Sequence, residues 1–119
     1  MLNYAIWLLG GVALVGVALS TFYMAEKPIR GGARWASVSH GLGGAAGTAM
    51  AVYAIVLAPD RQGFGRMAAI LLGATVLVAT LIIAAQLRRR RPAGLVVALH
   101  AIAGVTALVI LAAYASVGV

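Results

Sequence analysis

With 119 residues, 64% of them hydrophobic and only 9% charged, the chain has too little charge to cover a surface facing water, which excludes an ordinary soluble domain. The net charge of +7 sits in short segments between apolar runs, a membrane-protein distribution, which argues against nucleic acid as a partner. The chain has no cysteine, so disulfides, iron–sulfur clusters and thiolate chemistry are excluded.

The first apolar run, Tyr4–Met24, is long enough to cross a bilayer, for which roughly 20 residues are needed. Met1–Leu9 carries no Lys or Arg, so the run lacks the basic start of a signal peptide and is expected to be a mature helix. A basic connector follows, Ala25–Trp35, with Lys27, Arg30 and Arg34. The second run, Ala36–Ala58, contains His40 above a series of small residues. The middle connector, Pro59–Arg66, holds Asp60, Arg61 and Arg66. The third run is Met67–Leu87, the third connector Arg88–Pro92 with four consecutive arginines, and the fourth run Ala93–Val117 contains His100. The connectors leave no room for an extramembrane domain. The expectation is an all-α membrane protein: one domain over residues 1–119, a bundle of four transmembrane helices running up and down.

Seven basic residues fall in the outer two connectors and two in the middle one. The positive-inside rule therefore puts loops 25–35 and 88–92 in the cytoplasm and both termini outside it, as in a bacterial inner-membrane protein. Tyr4, Trp7, Tyr53, Phe64 and Tyr114 are expected to form one interfacial aromatic belt, and Phe22, Tyr23 and Trp35 the other.

The chain repeats itself. LLGGVALVG (Leu8–Gly16) and LLGATVLVA (Leu71–Ala79) share L-L-G-x-x-[AV]-L-V-[GA] at an offset of 63 residues. HGLGGAAG (His40–Gly47) and HAIAGVTA (His100–Ala107) share H-x-[LI]-[GA]-G-x-x-[GA] at an offset of 60. The chain reads as a duplicated helical hairpin, with halves of about 1–60 and 61–119. Both halves then enter the membrane in the same direction, related by a pseudo-two-fold axis along its normal. The second and fourth helices lie on opposite sides of that axis, and His40 faces His100 across it.

The two histidines are the only ones in the chain. His40 lies six residues past Arg34 and His100 nine past Arg91. At 1.5 Å per residue they sit about 9 and about 13 Å from the basic loops, within one helical turn of each other. A polar side chain in hydrocarbon is costly, faces the bundle interior and commonly has a task. In the bland reading these are core histidines bonded to Ser37, Ser39 or Thr106. The sharper reading is axial ligation of one haem b, since haem iron accepts imidazole nitrogen. The face below His40 continues with Gly43, Gly44 and Gly47, and that below His100 with Ala103, Gly104 and Ala107. These small residues either leave a slot for a flat macrocycle or permit close helix packing. Arg34 and Arg91, with their basic neighbours, lie where haem propionates reach the interface, and arginine pairs bidentately with carboxylate.

On this repeated H-x3-G pattern the chain resembles the small bis-histidine transmembrane cytochromes b, four-helix proteins of the cytochrome b561 and dehydrogenase-anchor kind. The resemblance implies His40 and His100 as axial ligands, with Gly44 and Gly104 as the small residues four positions on. It implies electron transfer with quinone, or with a partner membrane or peripheral subunit. Many such proteins hold two haems with four histidines; the two here allow one.

No Asp or Glu falls within an expected span, whereas proton-coupled transporters use an intramembrane carboxylate, as the small multidrug transporters do in their first helix. Ser37, Ser39 and His40 have no acidic partner for hydrolase chemistry. Two further readings stand beside the haem. One is a cofactor-free accessory subunit of a larger complex, or a homo-oligomer, whose apolar faces are protein contacts. The other is a chlorophyll-type tetrapyrrole, with one histidine on each magnesium.

Overall fold

The computed structural model describes residues 1–28, 30–58 and 62–117, with the side chain of Gln62 excepted. Among them are four α-helices: α1 (Leu2–Met24), α2 (Gly32–Val56), α3 (Gln62–Leu87) and α4 (Gly94–Val117). At 1.5 Å per residue each is about 35–39 Å long, enough to cross a hydrocarbon core of about 30 Å. By length and composition α1, α3 (as 63–87) and α4 are apolar enough to cross a membrane. α2 is as long but is not among them: Arg34, Ser37, Ser39, His40, Thr48 and five glycines from Gly32 to Gly47 dilute its apolar residues.

Two boundaries differ from the sequence expectation. α2 starts at Gly32, so Arg34 and Trp35 lie in its first turn. α3 starts at Gln62, five residues before the expected Met67, and takes in part of the middle connector. The reason is Gly65, which is buried: a Cβ there would lie 3.1 Å from both Ile55 and Tyr114. Having no side chain there, Gly65 lets α3 begin against the ends of α2 and α4. Pro59, Asp60 and Arg61 of that connector, and the end of the chain at Gly118 and Val119, lie outside the described residues.

The closest packing is within the hairpins, α1 on α2 and α3 on α4. α2 also touches α3, and α1 touches α4, while α1–α3 and α2–α4 make no close backbone approach. The helices thus form a four-cornered ring in chain order, with α2 and α4 on one diagonal. The molecule measures 45 × 23 × 19 Å.

Residues equivalent in the two sequence repeats do equivalent things. The α1 cap has Lys27 N–H bonded to Phe22 O and Glu26 N–H to Tyr23 O. The α3 cap has Arg90 N–H bonded to Ala85 O and Arg89 N–H to Gln86 O, the same pattern 63 residues on. This termination needs a left-handed residue at the turn, usually glycine. Here Glu26 (φ 55°) and Arg89 (φ 54°) take that conformation. Burial matches too: Ala5 with Ala68 and Leu9 with Leu72 at an offset of 63, Gly47 with Ala107 and Ala51 with Leu111 at 60.

All the fully buried described residues lie toward one end, where the chain starts and α2 and α4 finish. Ala5, Ala51, Ala68 and Ala107 contribute one inaccessible methyl per helix, and Leu111 is the largest side chain fully enclosed. Toward the basic connectors, no described residue of residues 10–46 or 73–106 is fully buried.

Candidate functional site

His40 lies on α2 and His100 on α4, both half-buried, in the less tightly filled part of the bundle. Their ring centroids are 5.9 Å apart across the α2–α4 diagonal, with the planes at 76°. The two imidazoles that sequence spacing puts at one depth are therefore neighbours in space.

Each ring is oriented by a backbone carbonyl on the helix that pairs with its own. His40 Nδ1 is 2.8 Å from Val12 O of α1, and His100 Nδ1 is 3.1 Å from Thr75 O of α3. A carbonyl oxygen only accepts, so Nδ1 carries the hydrogen in both rings. In neutral imidazole that leaves Nε2 with its lone pair in both. Val12 and Thr75 are equivalent in the sequence repeat, as are His40 and His100. The partners suggested by sequence, Ser37, Ser39 and Thr106, are not used in these bonds. A helix carbonyl has a second lone pair beyond its own i+4 bond, and no residue type marks which carbonyl a neighbouring ring will meet.

Gly16 makes the first of these contacts possible. A Cβ at Gly16 would stand 2.7 Å from His40 Cε1 and 3.3 Å from Nδ1, so the ring lies directly on the α1 backbone. Its counterpart on α3 is Ala79, and there the carbonyl bond is the longer of the two.

The small residues below the histidines face the neighbouring helix. A Cβ on Gly43 would meet Val12 at 2.7 Å, one on Gly44 would meet Val12 at 3.7 Å, and one on Gly47 would meet Leu9 at 2.8 Å. A Cβ on Gly104 would meet Thr75 at 3.4 Å. Of the two uses the sequence allows, these glycines are seen in close hairpin packing, with α1 and α3 side chains filling the space that a slot would need. Ala103 is half-buried, and Ala107 is wholly enclosed in the tight end of the bundle.

Arg34 is exposed in the first turn of α2. Arg91 in the third connector pairs with Glu26 of the first and with Tyr23 at the end of α1. Its Nη1 donates to Glu26 Oε1 at 2.7 Å and its Nη2 to Tyr23 O at 2.9 Å. The guanidinium carbon also lies 4.5 Å from the centre of the Tyr23 ring. The hydrogen bond to Glu26 raises the Arg91 pKa above its ordinary value, so it stays charged. Tyr23 in turn donates its hydroxyl to Pro92 O at 2.8 Å. This clasp ties the first connector to the third, across 65 or more residues of sequence. Sequence reading missed it because Glu26 passes for a lone loop acid; that it is the sole carboxylate near seven basic residues was the available signal.

No protein-family model, no curated protein and no solved structure matches the chain.

Among the described residues, no three His, Cys, Asp or Glu side chains come together as a metal site. The candidate centre thus has two protein nitrogen donors and no third.

Proposed function

We propose that the chain is a haem-b-binding integral membrane protein or subunit that transfers electrons, with His40 and His100 as axial ligands through Nε2. The observation that carries this reading is the matched pair of Nδ1–carbonyl bonds, which leaves a lone pair on each Nε2 with the rings 5.9 Å apart. Histidines that bind metal ordinarily donate their other N–H to such an acceptor, which fixes tautomer and ring orientation. His40 and His100 would hold the iron from α2 and α4, each through its Nε2. A bare zinc site takes three or four protein ligands, and two histidines do not supply them. A haem brings four nitrogens of its own and needs only the two axial ones. A separate chlorophyll-type ring on each histidine fits poorly, because the two imidazoles are too close to hold one macrocycle apiece.

When bound, the haem supplies a one-electron iron couple; the protein's part is to hold and tune it. Val12 O and Thr75 O orient the ligands, Gly16 admits the His40 ring, and Arg34 offers a cation to a propionate. All four helices cross the membrane in this reading, as a duplicated hairpin with pseudo-two-fold symmetry. Both termini lie outside the cytoplasm and the basic connectors lie inside, which puts the site in the cytoplasmic leaflet of a bacterial inner membrane. Electrons pass to or from quinone, a partner redox subunit or another copy of the chain.

The test is a reduced-minus-oxidised spectrum of the purified protein, expressed with ample haem. Sharp α and β bands at about one haem per chain, lost in His40→Ala and in His100→Ala, are expected. A colourless wild-type protein overturns the haem and leaves the cofactor-free accessory subunit as the reading.

A further inference from the structure

We propose that the Tyr23–Glu26–Arg91 clasp joins the first and third connectors into one cradle for the phosphodiester headgroups of anionic phospholipids. The inference does not depend on the haem. It starts from a charge imbalance. Among the described residues Glu26 is the one carboxylate, and Arg91 occupies it. Lys27, Arg30, Arg34, Arg88, Arg89 and Arg90 are all exposed on the same end of a bundle only 23 × 19 Å across. The Debye length in physiological salt is about 8 Å, so cations packed this closely repel one another unless anions come between them.

The chemistry of the missing anion follows from the residues. Five of the six cations are arginines, whose planar forks match the paired oxygens of phosphate. The patch caps helices of membrane-spanning length, so it lies at headgroup level, and Trp35 (73% exposed) and Tyr23 suit that interface. Clusters of four to eight basic residues beside a membrane helix attract anionic lipid. The positive-inside rule accounts for the charge being there. It does not account for the clasp, which uses the one available acid to bring two distant basic segments together.

That difference makes the proposal testable. The purified protein in neutral-detergent micelles is titrated with detergent-solubilised phosphatidylglycerol or phosphatidylcholine. The wild type is expected to prefer phosphatidylglycerol about tenfold, and less as salt is raised. Arg88, Arg89 and Arg90 together changed to Gln should abolish the preference. Glu26→Gln is the deciding variant, because it raises the net charge by one yet breaks the clasp. A built cradle predicts that its affinity for phosphatidylglycerol falls about fivefold, whereas a diffuse positive surface predicts a rise. Tyr23→Phe, which removes one hydroxyl hydrogen bond and no charge, should weaken binding in the same direction, and it decides the matter if Glu26→Gln fails to fold. Inorganic phosphate and glycerol phosphate are added as soluble competitors. Displacement only at millimolar levels supports lipid as the source, while displacement at micromolar levels points to a free phosphate ligand and overturns the lipid assignment. Equal or tighter binding by Glu26→Gln, no lipid preference in the wild type, or displacement by polyglutamate better than by phosphatidylglycerol also overturns it, the last in favour of an acidic protein partner.

Discussion

At one end of the bundle Ala5, Ala51, Ala68 and Ala107 are wholly inaccessible and Leu111 is enclosed. At the other end no described residue is fully buried, and the interior holds two imidazoles pinned to helix backbones. Both ends are built from the same Ala, Gly, Leu and Val, and both show the same pairing of equivalent positions. They differ in what holds the helices together. Inside a membrane, lipid is as apolar as leucine, so association rests on close packing and hydrogen bonds between helices. The alanine end uses the first. The histidine end adds the second, two imidazole–carbonyl bonds and the clasp at the connectors, to the glycine packing within each hairpin.

That contrast can be broken from either side. The largest effect expected is at the histidine end: His40→Ala or His100→Ala should remove bound haem completely while circular dichroism stays helical, because the tight end still holds the hairpins. Retention of the α band in either single variant would falsify the shared-ligand geometry. At the tight end, Gly47→Leu puts a side chain where even a Cβ lies 2.8 Å from Leu9. It should destabilise the protein by about 3 kcal/mol in a detergent unfolding titration. Gly41→Leu is the control, since a Cβ there meets nothing within 4 Å, and its midpoint should not move.

Leu111→Ala should cost about 2 kcal/mol by the same titration, the low end for a buried leucine, because transfer to lipid forfeits less than transfer to water. A change below measurement error would mean that the alanine layer alone holds that end. Gly16→Ala is subtler. The added methyl must push the His40 ring off Val12 O, and a cost of about 1 kcal/mol with a few-fold loss of haem affinity is expected. The counterpart Ala79→Gly should leave binding equal or slightly tighter. If both variants match wild type, ring orientation does not depend on these contacts. Last, Tyr23→Phe should lower stability by about 0.5 kcal/mol, since the hydrogen bond to Pro92 is only partly shielded from water.

Much of the architecture was legible from hydrophobic run length. Four helices in chain order, the hairpin pairing and the meeting of His40 with His100 all follow from apolar segments separated by short basic connectors and from two repeats in register. The start of α3 was not legible, because it lies in the charged connector Pro59–Arg66, and the fit of Gly65 under Ile55 and Tyr114 exists only once the helices are assembled. The glycines below the histidines were legible as small but not as to which neighbour they admit; the structure puts Val12, Leu9 and Thr75 there.

By itself the sequence determined composition, periodicity and internal repetition: helices, because every run is apolar and about 20 residues long, and a matched histidine pair, because the repeat carries one in each half. Tertiary structure alone decided the rest. Val12 O and Thr75 O hold the imidazoles although a backbone carbonyl is the same in every residue and leaves no trace in a sequence. Arg91 pairs with Glu26 because the two connectors, 65 residues apart along the chain, end side by side in the bundle. Which of several like charges finds the single acid is a matter of distance, and distance across a bundle is set by packing.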